Sequence, residues 1–199
     1  VAMLHSQPLD REQLGYVFRL REATYSERVG RGGIFHMPFN LRHKVTPKRY
    51  SLLGLPMLYL GSTLLVCWEE LGRLGFSTLA TARIARSLLD KTRGADLPAT
   101  RLAVAHAILW PLIAACSFPR RYDDAAFVEE YILPQQVVAQ LVETGDFDGV
   151  RYFSNRVSAY GAEFVNLNFV FPAQPGADSG HCPKLSSLFE VTPPMPLPM

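Results

Sequence analysis

The apolar positions of this chain fall in short runs separated by glycine, proline and charged residues. Residues 17–20 read as a first strand, followed by a polar, glycine-containing connection through Gly33. Residues 34–39 are apolar up to Pro38, and residues 41–49 carry Arg42, His43, Lys44, Lys48 and Arg49, the pattern of a solvated loop. Gly54 and Pro56 punctuate the chain before a compact strand at 57–60, which Gly61 ends. Ser62 and Thr63 then offer capping hydroxyls for a helix whose Leu64, Cys67, Trp68 and Leu71 fall at i, i+3, i+4 and i+7 on one face. Residues 79–91 have helical character, and a loop containing glycine and proline follows.

The longest apolar run, 102–118, predicts a buried helix broken near Trp110–Pro111. Pro134 suits the first turn of a further helix, with Val137, Val138, Leu141 and Val142 as its apolar stripe. Strands are expected at 150–153 and 164–171. The proline-rich tail, 192–199, is expected to be extended or disordered, since proline cannot donate to a ladder. Helices and strands mix without strict alternation. This favours an α+β or irregular α/β fold in a single domain, with its core at about 17–172, over a doubly wound sheet.

Composition narrows the class of protein. With 199 residues, 48% hydrophobic and 19% charged, the chain can bury one proper core, which excludes wholesale disorder. A net charge of +2 without a clustered basic face gives no footprint for direct nucleic-acid binding. It still allows a small anion to be held by a few arginines. Cys67, Cys116 and Cys182 are odd in number, widely spaced and without a zinc pattern, so a reducing compartment such as the cytoplasm is expected, without metal. The run at 102–118 is shorter than the ~20 residues of a membrane span and carries His106 and Pro111. No secretory leader is visible, and the first residue is Val1, as in a piece of a longer chain.

Chemistry concentrates between Arg49 and Leu71. Gly30-Arg31-Gly32-Gly33 lacks the spacing of a phosphate loop, and no metalloprotease or nucleophile-elbow motif is present. On the expected helix, Glu70 lies about 60° from Cys67, at the rim of the buried face, while Glu69 lies farther round toward solvent. Tyr59 projects from the strand face opposite Leu58 and Leu60, suited either to stacking on a ring or to packing. Arg49 precedes an aromatic residue and could grip a phosphate with its guanidinium fork. Ser154 ends a strand, where a hydroxyl commonly caps a turn.

The ordered set of local motifs resembles the RES domain family. It comprises Phe18-Arg19-Leu20-Arg21, Phe35-His36-Met37-Pro38-Phe39, Arg49-Tyr50-Ser51, Gly54-Leu55-Pro56, Leu58-Tyr59-Leu60-Gly61 and Trp68-Glu69-Glu70-Leu71. Glu130-Tyr131-Ile132-Leu133-Pro134-Gln135 and Gly149-Val150-Arg151-Tyr152-Phe153-Ser154 continue it. The resemblance implies an ADP-ribosyltransferase-like mixed β core with surrounding helices. It implies NAD⁺ as the substrate rather than a cofactor, destroyed by hydrolysis or by phosphorolysis with inorganic phosphate, in a bacterial toxin neutralised by an Xre-type antitoxin. By position, the family's arginine, tyrosine, glutamate and serine fall on Arg49, Tyr59, Glu70 and Ser154. The commoner pattern has Gly-Gly-Arg-Trp around the arginine. Here Gly32–Gly33 lies well upstream and Tyr50 follows Arg49, so Arg19 is a rival phosphate ligand.

Under this resemblance Glu70 stabilises charge on the nicotinamide ribose, with Arg49 and Ser154 completing the catalytic set. Arg19, Tyr59 and Ser51 would contact NAD⁺. Competing expectations are ADP-ribose transfer to a protein or nucleic acid, and an inactive nucleotide-binding module. Monomer and homodimer both remain open.

Overall fold

The computed structural model describes residues 2–8, 16–24, 27–84, 86–90, 99–122, 124–156, 166–176 and 178–198. Strands β1 (Ala2–Pro8), β2 (Tyr16–Glu22), β3 (Met57–Gly61), β4 (Phe76–Ile84), β5 (Arg86–Asp90), β6 (Gly149–Phe153), β7 (Leu167–Pro172), β8 (Phe189–Val191) and β9 (Met195–Pro198) form one antiparallel sheet. Its order is β5-β1-β6-β7-β3-β2-β4-β8, with β9 also paired to β4. The helices are α1 (Arg31–Ile34), α2 (Leu64–Glu70), α3 (Ala99–Ser117), α4 (Ile132–Thr144) and α5 (Pro183–Leu188). The fold is therefore mixed α+β.

Period-two alternation gives the central strands two buried faces. Leu58, Leu60 and Phe171 join one core with Val17, Phe39, Leu185 and Phe189. Val170 and Val150 join a second with Tyr50, Met57, Cys116, Val138 and Leu141, against which Tyr59 and Tyr152 pack. A smaller cluster of Leu20 and Cys67, with Phe18, Leu64, Trp68 and Leu71 against it, seats α2 on β2. All three cysteines are free and buried.

Strands β2 and β3 pair only at Phe18↔Gly61, while β2 pairs with β4 over seven positions and β3 with β7 over five. The sheet splays at this seam. The Tyr59 carbonyl there accepts from Arg19 Nη1 at 2.7 Å, and Arg19 Nε donates to the Ile34 carbonyl at 3.2 Å. An arginine side chain thus replaces ladder bonds that the diverging strands cannot make.

Several local expectations are overturned. Residues 79–84 and 86–90 are strand, not helix: β4 lies between β2 and the two strands β8 and β9, and β5 pairs with β1. Lys91 and the expected loop after it lie outside the described residues, as do the first two positions of the strand expected at 164–171. The tail is not a free end. β9 pairs with β4, proline being tolerated at a sheet edge where no N–H has to be donated. Helix α3 runs unbroken through Pro111, and Ile108 (71% exposed) and Trp110 (66%) stand in solvent rather than in a core. Among the described residues, no helix is long and apolar enough to cross a membrane.

Candidate functional site

Strand ends and one short helix build the site. The Thr63 side chain caps α2 by accepting from Val66 N–H at 3.2 Å. Gly61 lets this helix turn back tightly: a Cβ there would lie 2.7 Å from Cys67 Sγ. Ser62 ties the turn to β7, its N–H donating to the Leu167 carbonyl and its Oγ accepting from Leu167 N–H. These constraints bring Glu70, at the end of α2, over the ends of β6 and β7.

Glu70 Oε1 receives two short hydrogen bonds, from Ser154 Oγ at 2.7 Å and from Asn168 Nδ2 at 2.6 Å. Glu70 Oε2 faces Arg156 Nε at 3.9 Å, beyond hydrogen-bond distance. The Glu70 side chain is 34% exposed; two donors anchor Oε1, and among the described residues Oε2 meets only Arg156. Arg156 N–H donates to Ser154 Oγ at 3.3 Å, which orients that hydroxyl toward Glu70.

Glu69 corrects the expectation from helical spacing. It is buried rather than facing solvent, and its Oε2 accepts from Arg73 Nε at 2.9 Å. Val66, one turn earlier, is wholly buried. The helix therefore has a second covered face that a single-stripe reading omits. Arg73, in the left-handed region at φ 62, also lies over the Trp68 ring, fastening the chain just beyond Glu70.

Tyr59, Tyr152 and Asn168 share one sheet face, as the register pairs Tyr59↔Val170 and Tyr152↔Asn168 require. Tyr59 Oη and Ser51 Oγ are 2.7 Å apart. Burial pushes the Tyr59 hydroxyl well above its ordinary pKa. The Tyr152 hydroxyl is likewise raised, first by burial and then by Tyr59 and Glu70. Tyr152 also stacks, tilted, on Tyr50, with centroids 4.3 Å apart.

On the far side of this aromatic floor, Arg49 donates to the Cys116 carbonyl at 3.2 Å and lies over the Tyr131 ring. Asn155 Nδ2 donates to the neighbouring Ser117 carbonyl at 2.7 Å. The C-terminal end of α3 thus anchors both Arg49 and the chain after β6.

The structure joins Glu70 directly to Ser154, and Ser51 directly to Tyr59, with Tyr152 opposite Asn168 on the sheet face of Tyr59. It does not bring Arg19 to Glu70. Arg19 has the strand parity of Val17, which belongs to the opposite core, and two of its donors are spent on backbone carbonyls. Desolvation lowers its pKa, against the opposing influence of Cys67 and Tyr59.

Asn168, Arg156 and Tyr152 were missed by sequence reasoning as partners of Glu70. Asn168 carried a usable signal: it is a polar residue, 5% exposed, inside an otherwise apolar strand. Arg156 carried none. An open hollow of about 530 Å³ near the end of α3, lined by Ala115, Phe118, Arg120, Arg121, Glu129 and Leu133, contains no candidate residue. Among the described residues, no group of three or more His, Cys, Asp or Glu could hold a metal ion.

Glu70 is thus a partly exposed carboxylate, fixed through one oxygen by Ser154 and Asn168, with Arg156 near its other oxygen. Among curated proteins, the chain is similar to one of Bacillus subtilis (strain 168) named "Putative toxin YopC". The two are 30% identical over 201 residues, which cover 89% of this chain and 45% of that protein. The chain spans about half the length of the curated relative it matches. No family model and no solved structure matches the chain.

Proposed function

We propose that this chain is an NAD⁺-consuming domain of a bacterial toxin, cleaving the bond between nicotinamide and ribose. The observation that carries the reading is the Glu70 carboxylate, held at Oε1 by Ser154 and Asn168 in a side chain that stays 34% exposed. The toxin name of the 30% identical relative supports it, as does the ordered RES-like motif set that contains Glu70 and Ser154.

The chemistry needs little machinery. The nicotinamide of NAD⁺ leaves as a neutral base, taking the electron pair of the C1′–N bond. The ribose passes through an oxocarbenium-like state, as in glycoside cleavage. Glu70 stabilises that charge through Oε2, while the two donors on Oε1 keep the carboxylate from swinging away. Tyr59 and Tyr152 offer an aromatic floor for the nicotinamide. Arg49, steadied by Tyr131 and the Cys116 carbonyl, offers its remaining donors to the pyrophosphate. Water or phosphate completes the reaction at C1′. A toxin of this kind would be kept in check by an antitoxin protein covering the site.

Time-resolved proton NMR of the protein with NAD⁺, in buffers with and without phosphate, tests the reading. Free nicotinamide appearing with the wild-type protein and absent with Glu70→Gln is the expected result. No nicotinamide from the wild-type protein in either buffer overturns it. Label from NAD⁺ fixed in macromolecules of a cell extract would redirect it to ADP-ribose transfer.

A further inference from the structure

We infer that the open hollow at the C-terminal end of α3 is the subsite for the adenosine half of the dinucleotide, with Phe118 and Glu129 as its specificity residues. This rests on the reading of NAD⁺ cleavage and deepens it. The Glu70 site accounts for one half of the substrate, and the hollow supplies a place for the other.

Two carbonyls at the end of α3 relate the hollow to Glu70. Ala115 and Phe118 belong to its lining, and between them in the chain stand Cys116 and Ser117. The Cys116 carbonyl accepts from Arg49. The Ser117 carbonyl accepts from Asn155, the neighbour of the Ser154 that holds Glu70. Glu129 also lines the hollow, and two residues on, Tyr131 carries the Arg49 guanidinium over its ring. Arg49 is thus fastened to both segments that form the hollow, and the same helix end is fastened to the strand end that carries Ser154. A dinucleotide has this order: a nucleoside, a diphosphate, a second nucleoside. With its diphosphate at Arg49, one nucleoside reaches Glu70 and the other meets the hollow.

The hollow's chemistry suits a nucleoside. Its volume, about 530 Å³, falls in the ~300–1,000 Å³ range of small-molecule sites. Phe118 is 59% exposed and Leu133 48%, so an aromatic ring and an aliphatic side chain stand uncovered there. Any base can stack on such a ring, because every base has a π-face. Glu130 accepts from the Arg121 N–H at 2.9 Å. Glu129 is exposed, and its side chain has no partner among the described residues. A carboxylate in reserve beside an aromatic ring can hold both parts of a nucleoside: the ring takes the base, and the carboxylate accepts from the ribose hydroxyls.

The test compares NAD⁺ with nicotinamide mononucleotide, which keeps the bond to be broken and lacks the adenosine half. Nicotinamide release is followed by proton NMR for the wild-type protein, Phe118→Ala, Phe118→Trp and Glu129→Gln. Both positions are exposed, so the fold should tolerate these changes. The expected result in Phe118→Ala is a loss of about tenfold in the preference of kcat/KM for NAD⁺ over the mononucleotide, the size of a lost stacking contact, carried by KM for NAD⁺. Glu129→Gln should lose less of the preference, and Phe118→Trp, which keeps a ring, should retain it. A merely structural role would lower both substrates together and leave the preference unchanged. An unchanged preference in Phe118→Ala and Glu129→Gln overturns the proposal, as does a wild-type protein that shows no preference.

Saturation-transfer NMR with adenosine monophosphate, in the absence of NAD⁺, separates the subsite from the reading it rests on. Transfer to the adenine protons that is lost in Phe118→Ala supports the subsite even in a protein that releases no nicotinamide, where the functional reading alone would fail. Transfer that is equal in both proteins, or absent from both, overturns the subsite.

Discussion

Glu70 and Arg19 act on opposite sides of the β2–β3 region, and their surroundings differ in kind. Glu70 receives two side-chain donors on one oxygen, while its other oxygen faces a loosely held arginine and the side chain stays partly exposed. Arg19 donates to two backbone carbonyls at the seam. Beside that seam, His36 is buried: its Nδ1 pairs with the Met37 carbonyl at 2.7 Å and its Nε2 accepts from Cys182 N–H at 2.9 Å. The first region keeps interaction capacity in reserve, and the second consumes it in joining loops to the sheet. Reserve is what a substrate can use, so substitutions around Glu70 should change turnover, and those around Arg19 and His36 should change stability.

The largest separation is expected from Glu70→Gln. Turnover of NAD⁺ should fall by about 10²–10⁴-fold, the usual size for loss of a charged group at a developing transition-state charge. The melting temperature should scarcely move, because Gln keeps an oxygen acceptor for Ser154 and Asn168. A shift of many degrees alongside the lost turnover would make Glu70 a folding residue and collapse the distinction.

Next comes acid. Burial, opposed in part by the hydrogen bond to the Met37 carbonyl and aided by smaller contributions from His181 and Arg19, pulls the His36 pKa down to about 4. The folded state holds the neutral ring, whereas the unfolded chain takes up the proton near 6.5. Stability from this group is fully present above about pH 6.5 and is lost as pH falls toward 4, by about 3 kcal/mol at most. Urea titrations between pH 7 and 4 should show that slope in the wild-type protein and a shallower one in His36→Phe. Equal slopes would remove His36 from the account.

Arg19→Met should cost about 2 kcal/mol. It leaves the Tyr59 and Ile34 carbonyls without their donors, offset in part by no longer burying a charge. In thermal unfolding this is a drop of roughly 4–8 °C. An unchanged melting temperature with a raised KM for NAD⁺ would instead restore Arg19 as a phosphate ligand.

The same contrast explains what could be read from the residues. The strand at 57–61 and the helix after it follow from alternation, a glycine stop and a capping threonine, all of them local signals. The β4–β5 stretch was misread because Ala, Leu and Arg favour helix, while long registers with β2 and β1 decide the outcome. Helix α3 looked buried because apolar length was taken for burial, and Ile108 and Trp110 show that it is not. The Glu70–Ser154 contact joins residues 84 apart in sequence, so no spacing rule could supply it. Only the ordered resemblance placed both in one site. Arg19 and Arg49 could not be separated beforehand, because what distinguishes them is which carbonyls they meet.

The smallest effect concerns Tyr59, which stands between the two regions. Its backbone carbonyl belongs to the Arg19 seam, and its ring lies on the same sheet face as Asn168 and Tyr152. Its hydroxyl is bound to Ser51, which is 2% exposed. Tyr59→Phe should therefore cost about 1 kcal/mol of stability, the net worth of one buried hydrogen bond. A double-mutant cycle with Ser51→Ala should return most of that as coupling, because each substitution removes the same bond. The ring survives in Tyr59→Phe, so KM for NAD⁺ should stay within about twofold if Tyr59 serves the substrate through its face. Loss of turnover in Tyr59→Phe with little coupling to Ser51 would put the hydroxyl itself in contact with substrate. The boundary between the reserved and the consumed parts of the molecule would then run on the other side of this residue.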